Sequence, residues 1–123
     1  FVFEQNSNRF KKYSDKIIYV KIEDVHENFA ALMASLAARS DRASHLIHQL
    51  MEQHTHYDRS VLAWVLDTYH RESIHRGLFN HAQPDDIVIL SDLDEIPSRA
   101  ALQNFVKNHA ASIDAVPLSP ASN

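Results

Sequence analysis

At 123 residues, with 45% hydrophobic and 23% charged residues, the chain has room for about one globular domain and is not a disordered polyelectrolyte. Its net charge of -4 offers no broad basic surface for nucleic acid or anionic lipid. The lack of cysteine excludes disulfides and thiolate metal sites, and no apolar run approaches the roughly 18 residues of a membrane span.

Taken in chain order, Lys16 to Ile22 (KIIYVKI) is rich in β-branched and aromatic residues and reads as a strand. Asp24, with Glu27 three residues on, reads as a helix N-cap. Phe29, Leu32, Met33 and Leu36 then recur at helical spacing, and Ala43, Leu46, Ile47, Leu50 and Met51 repeat the pattern beyond Ser40. Two helices, or one interrupted near Arg39–Ser40–Asp41, are expected there. A further helix is predicted over about 58–79, with an apolar stripe through Leu62, Val65, Leu66, Tyr69, Ile74 and Leu78 and a last turn weakened by Gly77. Asn80 to Asp86 (NHAQPDD) breaks that pattern. Ile87–Leu90 follows without polar alternation, as a strand covered on both faces of a parallel sheet would. After Pro97, Ser98 is placed to cap a helix carrying Ala101, Leu102, Phe105 and Val106, and Ile113 to Leu118 reads as the start of another strand. The order strand, helices, strand, helix, strand predicts an α/β fold with a mostly parallel sheet flanked by helices.

The most concentrated chemistry stands at Asp92, Asp94 and Glu95, directly after the apolar run and before Ile96-Pro97. The carboxyl ends of strands are where open α/β sheets place their ligand crevices. In an extended chain Asp92 and Asp94 point to one side while Leu93 turns toward the core. Two neighbouring carboxylates repel, and a hard divalent cation such as Mg²⁺ or Mn²⁺ relieves the repulsion while leaving positions for water or phosphate. The alternative is an acidic, solvated turn that favours the N-terminus of the next helix. Asp85 and Asp86 read as a solvated turn. With a single glycine, Gly77, the chain carries no glycine-rich phosphate loop.

Other candidates are weaker. His45, His48, His54 and His56 crowd one stretch, yet their spacing matches no closed zinc set, and solvated histidines are the better reading. Trp64 and Tyr69 lie on the predicted apolar stripe and read as core more readily than as stacking platforms. Arg71 and Arg76 each follow an acidic residue by four positions, Asp67 and Glu72, so a local helical pair competes with a ligand role.

Three stretches together, FEQNSNRFKKYSDKIIYV, WVLDTYHRESIHRGL and PDDIVILSDLDEIPSR, resemble glycosyltransferase family 17, which includes the β-1,4-mannosyl-glycoprotein 4-β-N-acetylglucosaminyltransferases. The resemblance covers about Phe1 to Val25 and Ala63 to Asn123. Its most specific element is the Asp-x-Asp-Glu-Ile-Pro string. It implies a partial GT-A-like nucleotide-sugar domain over 1–123, cut at both ends, with 26–60 as a helical insertion. It implies an inverting, metal-dependent transfer of N-acetylglucosamine from UDP-N-acetylglucosamine to a mannose-containing glycan or glycoprotein acceptor. Under that resemblance Asp94 is the direct Mn²⁺ or Mg²⁺ ligand, Asp92 faces the ribose or a metal-bound water, Glu95 supports them, and Arg71 reaches the nucleotide. The general base falls outside this chain, and the fragment alone is expected to show little turnover. The compartment would be the Golgi lumen for an animal member and the cytoplasm for a bacterial one. The competing expectation is a non-catalytic α/β module whose acidic loop binds a cation or nothing.

Overall fold

The structure, a computed structural model, describes residues 1–109, and the expected strand at Ile113 to Leu118 lies outside them. The described residues fold as helices and connecting segments: α1 (Val2–Gln5), a 3-10 helix (Ser7–Lys16), α2 (Phe29–Ala38), α3 (Arg42–Gln53), α4 (Leu62–Glu72), α5 (His75–Leu78) and α6 (Arg99–His109). They divide into two compact units, Phe1–His81 and a second beginning at Ala82.

The expected α/β fold with a parallel sheet is overturned, because no strand occurs among the described residues. The two runs read as strands, Lys16–Ile22 and Ile87–Leu90, are largely non-helical but enter no ladder. Apolar β-branched composition favours extended backbone, whereas a strand exists only where a second segment supplies the paired amides and carbonyls. Ile17 does take extended dihedrals, with φ -111° and ψ 121°. Ile18 and Val20 lie against the backbone of Gly77, where an added Cβ would stand 3.6 and 3.2 Å from their methyl groups. Tyr19 packs on Phe3 with ring centroids 4.6 Å apart.

The first unit is built on α2, α3 and α4. The three-residue link Arg39–Asp41 returns the chain so that α3 packs along α2, and α3 in turn packs on α4 and α5. Leu32 and Leu36 from α2, Ile47 and Met51 from α3, and Val65 and Tyr69 from α4 are fully buried and form one cluster. Ile22, Phe29, Met33 and Tyr57 close its edges. The segment 26–60 thus supplies four of the six core side chains.

Local chemistry sets the helix limits. The α2 cap is Asn28, whose Oδ1 accepts from the Ala31 N–H at 2.9 Å, and not the expected Asp24. Asp41 caps α3 by accepting from the Ser44 N–H at 2.9 Å. The expected long helix over 58–79 is two helices. Asp58 accepts from both the N–H and the hydroxyl of Ser60, at 2.9 and 2.6 Å, in a turn that delays the start of α4 to Leu62. At the other end the Ser73 hydroxyl donates to the Tyr69 carbonyl at 2.7 Å, and the Ile74 N–H reaches back three residues to Arg71 at 3.3 Å. That tightened turn separates α4 from α5. In the second unit Ser98 behaves as expected, its hydroxyl accepting from the Ala101 N–H at 3.2 Å at the start of α6. Among the described residues no helix is long and apolar enough to cross a membrane.

Candidate functional site

Asp92, Asp94 and Glu95 occupy one exposed turn in the second unit, closed by the Glu95 N–H donating to the Asp92 carbonyl at 3.1 Å. The turn changes the expected geometry. Leu93 does not enter a core: it is 95% exposed, and Ile96 is 81% exposed. Ile87–Leu90, expected to be buried on both faces, is exposed throughout, so the carboxylates do not project from a strand end. What survives is their concentration in four consecutive residues ahead of the Ser98-capped helix α6.

Among the described residues no three histidine or acidic side chains are grouped so as to hold a metal ion. A cation at this turn would therefore be held by one or two of these carboxylates together with oxygens of another species. That donor set suits Mg²⁺ or Mn²⁺, which commonly bind through one or two carboxylates, waters and substrate phosphates. The residues present fit such a partial site and do not make a closed protein cage.

Arg71 belongs to the first unit. Its Nε donates to Asp67 Oδ2 at 3.2 Å, the expected i, i+4 pair, and both side chains are more than half exposed. Arg76 does not pair with Glu72. It turns instead to α3, donating to the Ser44 hydroxyl at 3.0 Å and lying 3.6 Å from Asp41. Trp64, expected in the core, is 57% exposed, while Tyr69 is fully buried. The four crowded histidines do not gather at one point, although His54 and His56 touch. His45 Nε2 donates to the Arg39 carbonyl at 2.7 Å, His48 lies 3.8 Å from Glu52, and His54 bonds Glu72 at 2.9 Å. His56 meets the His54 ring edge-on at 5.1 Å.

The strongest polar constellation was not legible as a site. Asp24 Oδ2 accepts from His26 Nε2 at 2.8 Å, from the Tyr69 hydroxyl at 2.7 Å and from Arg39 at 3.3 Å. Arg76 extends the network by approaching the Tyr69 hydroxyl at 3.4 Å. The network ties the segment before α2 to the end of α2, to α4 and to α5. Burial works against the Asp24 charge, but the bonds from His26 and Tyr69 outweigh it and hold the carboxyl below its usual range. Burial, aided by the Asp24 charge, pushes the Tyr69 hydroxyl up. Sequence marked Asp24 only as a cap, since its distant partners Arg39 and Tyr69 share no spacing with it. An ionised carboxylate whose Oδ2 holds three donors fastens elements together and is a poor proton acceptor for chemistry.

A second cluster fastens the end of α3. Arg59 donates through Nη2 to the carbonyls of Met51, Glu52 and His54 at 3.1, 2.7 and 3.0 Å, satisfying groups that a helix C-terminus leaves unpaired. Its guanidinium also lies over the Phe29 ring at 4.6 Å. No protein family, curated protein or solved structure matches the chain.

Proposed function

We propose that the chain is part of a metal-dependent, inverting N-acetylglucosaminyltransferase resembling glycosyltransferase family 17, with the Asp92–Glu95 turn as its cation and donor site. The observation that carries this reading is the turn itself: three carboxylates within four exposed residues, ahead of α6. Asp94 would be the direct ligand of Mn²⁺ or Mg²⁺, Asp92 would face the ribose of UDP-N-acetylglucosamine or a metal-bound water, and Glu95 would support them. Arg71 is assigned to the nucleotide on the resemblance alone. A cation bound there offsets the charge of the diphosphate. The carboxylates orient the donor, and the acceptor is a mannose-containing glycan or glycoprotein.

A second reading is a non-catalytic helical module. It is favoured by the helical core of the first unit, which closes on its own side chains. Calorimetric titration with UDP-N-acetylglucosamine, with and without Mn²⁺, separates the two. The transferase reading expects Mn²⁺-dependent binding that Asp94→Ala weakens by at least about tenfold, as loss of groups that hold a metal does. Binding that is absent with Mn²⁺, or unchanged in Asp94→Ala, leaves the module reading.

A further inference from the structure

The 3-10 helix Ser7–Lys16 is exposed at every residue and contributes no side chain to the α2–α3–α4 core. Four cations, Arg9, Lys11, Lys12 and Lys16, stand on it against one carboxylate, Asp15. Among the described residues none of the four meets a carboxylate, whereas Lys21 is held by Glu4 at 3.2 Å and Glu23 at 2.7 Å. This local excess of positive charge stands in a chain whose net charge is -4.

The cations are interleaved with rings. In a 3-10 helix, side chains three residues apart eclipse, about 6 Å along the axis. Phe10, Tyr13 and Lys16 therefore form one ridge, with Arg9 and Lys12 on the ridge beside it. Phe10 and Tyr13 are 39% and 46% exposed. Phe3 stacks on Phe10 with centroids 5.6 Å apart and planes 21° from parallel, and Tyr19 supports Phe3 at 4.6 Å. The Phe10 ring is thus oriented by the fold before any ligand arrives, which lowers the ordering cost of binding. Lys12 Nζ lies 4.8 Å from the Tyr13 ring centroid, so charge and ring are presented together.

We propose that Ser7–Lys16 is a docking surface for single-stranded nucleic acid, whose bases stack on Phe10 and Tyr13 while its phosphates lie along Arg9, Lys11, Lys12 and Lys16. Sites of that class join a positive track to stacking rings and need no hydrogen bonds to base edges. The rings decide the partner. A polyanion without bases uses the cations and leaves Phe10 and Tyr13 idle. A membrane surface requires a continuous apolar face to bury, and this helix offers only those two rings. The track is short, so the overall charge of -4 limits its affinity without removing it. This surface belongs to the first unit and works without the Asp92–Glu95 turn.

Fluorescence anisotropy of a labelled oligothymidylate of about 12 nucleotides, titrated with the 123-residue chain at about 50 mM salt, tests the surface. Binding should weaken with salt along a log–log slope no steeper than about -3, because each phosphate neutralised on a single strand adds about -0.7. Tyr13→Leu keeps an apolar side chain and removes the stacking face. It should weaken binding at least about fivefold, the lower end for one base–aromatic stack, while Tyr13→Phe binds as the wild type does. Lys11→Ala and Lys12→Ala together should flatten the slope by about 1.4. None of these side chains belongs to the buried cluster, so circular dichroism should match the wild type. Inorganic polyphosphate of equal charge should compete at least about fivefold less well than unlabelled oligothymidylate. Vesicles of phosphatidylserine and phosphatidylcholine should not bind. Failure to bind the oligonucleotide, unchanged affinity in Tyr13→Leu, lost affinity in Tyr13→Phe, equal competition by polyphosphate, or capture by the vesicles overturns the assignment.

Discussion

Asp24→Ala tests whether the half-buried carboxylate network holds the first unit together. Two donors depend on Asp24 Oδ2 at short range, His26 at 2.8 Å and Tyr69 at 2.7 Å, and both residues are buried. Orphaning a buried donor costs about 1 to 3 kcal/mol. Asp24 itself remains about one-quarter exposed, so water can reach part of the vacated space and the lower half of that range applies to each donor. The Arg39 contact, longer and more exposed, contributes a few tenths of a kcal/mol at most. The expected loss is therefore about 3 kcal/mol, which for a unit of this size lowers the melting temperature by roughly 12 to 24 °C. Asp24→Asn keeps an acceptor and loses only the charge, and should cost about half as much. Urea denaturation followed by circular dichroism at 222 nm measures both, and a double-mutant cycle with Tyr69→Phe isolates the coupling. The pH dependence adds a second check. Because the folded carboxyl titrates below its unfolded value, its contribution is present above about pH 4 and is lost as pH falls through the folded value. The wild-type advantage over Asp24→Asn should shrink only in acid. A cost below about 1 kcal/mol for Asp24→Ala, or a coupling to Tyr69 near zero, would refute the network as a structural hub.

Two further outcomes follow from the packing. Leu36→Ala removes a fully buried side chain from the α2–α3–α4 core and should cost about 3 kcal/mol, read by the same urea curves. Arg59→Ala takes a donor from three carbonyls at the end of α3, of which Met51 keeps the Tyr57 hydroxyl at 3.3 Å, and uncovers Phe29; a loss of about 2 kcal/mol is expected, with amide exchange rising first at His54, whose N–H bonds the Leu50 carbonyl at 2.9 Å.

The helical pattern of the chain could be read from residue order because its cause is local. Leu32 and Leu36, Ile47 and Met51, and Val65 and Tyr69 each stand four residues apart, and that spacing places each pair on one helical face whatever the rest of the molecule does. The break at Arg39–Asp41 and the Ser98 cap were legible for the same reason: a short side chain bonds an amide three residues on. The split of the predicted 58–79 helix was not, since apolar periodicity is blind to Ser73 bonding its own helix and to Asp58 holding the preceding turn.

Sequence by itself determined the amphipathic helices, the concentration of carboxylates at Asp92–Glu95 and the absence of thiolate chemistry, all of which depend on residue type and short spacing. Only the tertiary structure decided whether the β-branched runs became strands, because a ladder needs a partner that neither run names. It also decided which charges meet. Asp24 finds Tyr69 from 45 positions away, His54 finds Glu72 from 18, and Arg76 passes over Glu72 for Ser44 and Asp41. Those pairings follow from how α2, α3, α4 and α5 pack, and packing is a property of the whole core rather than of any window of residues.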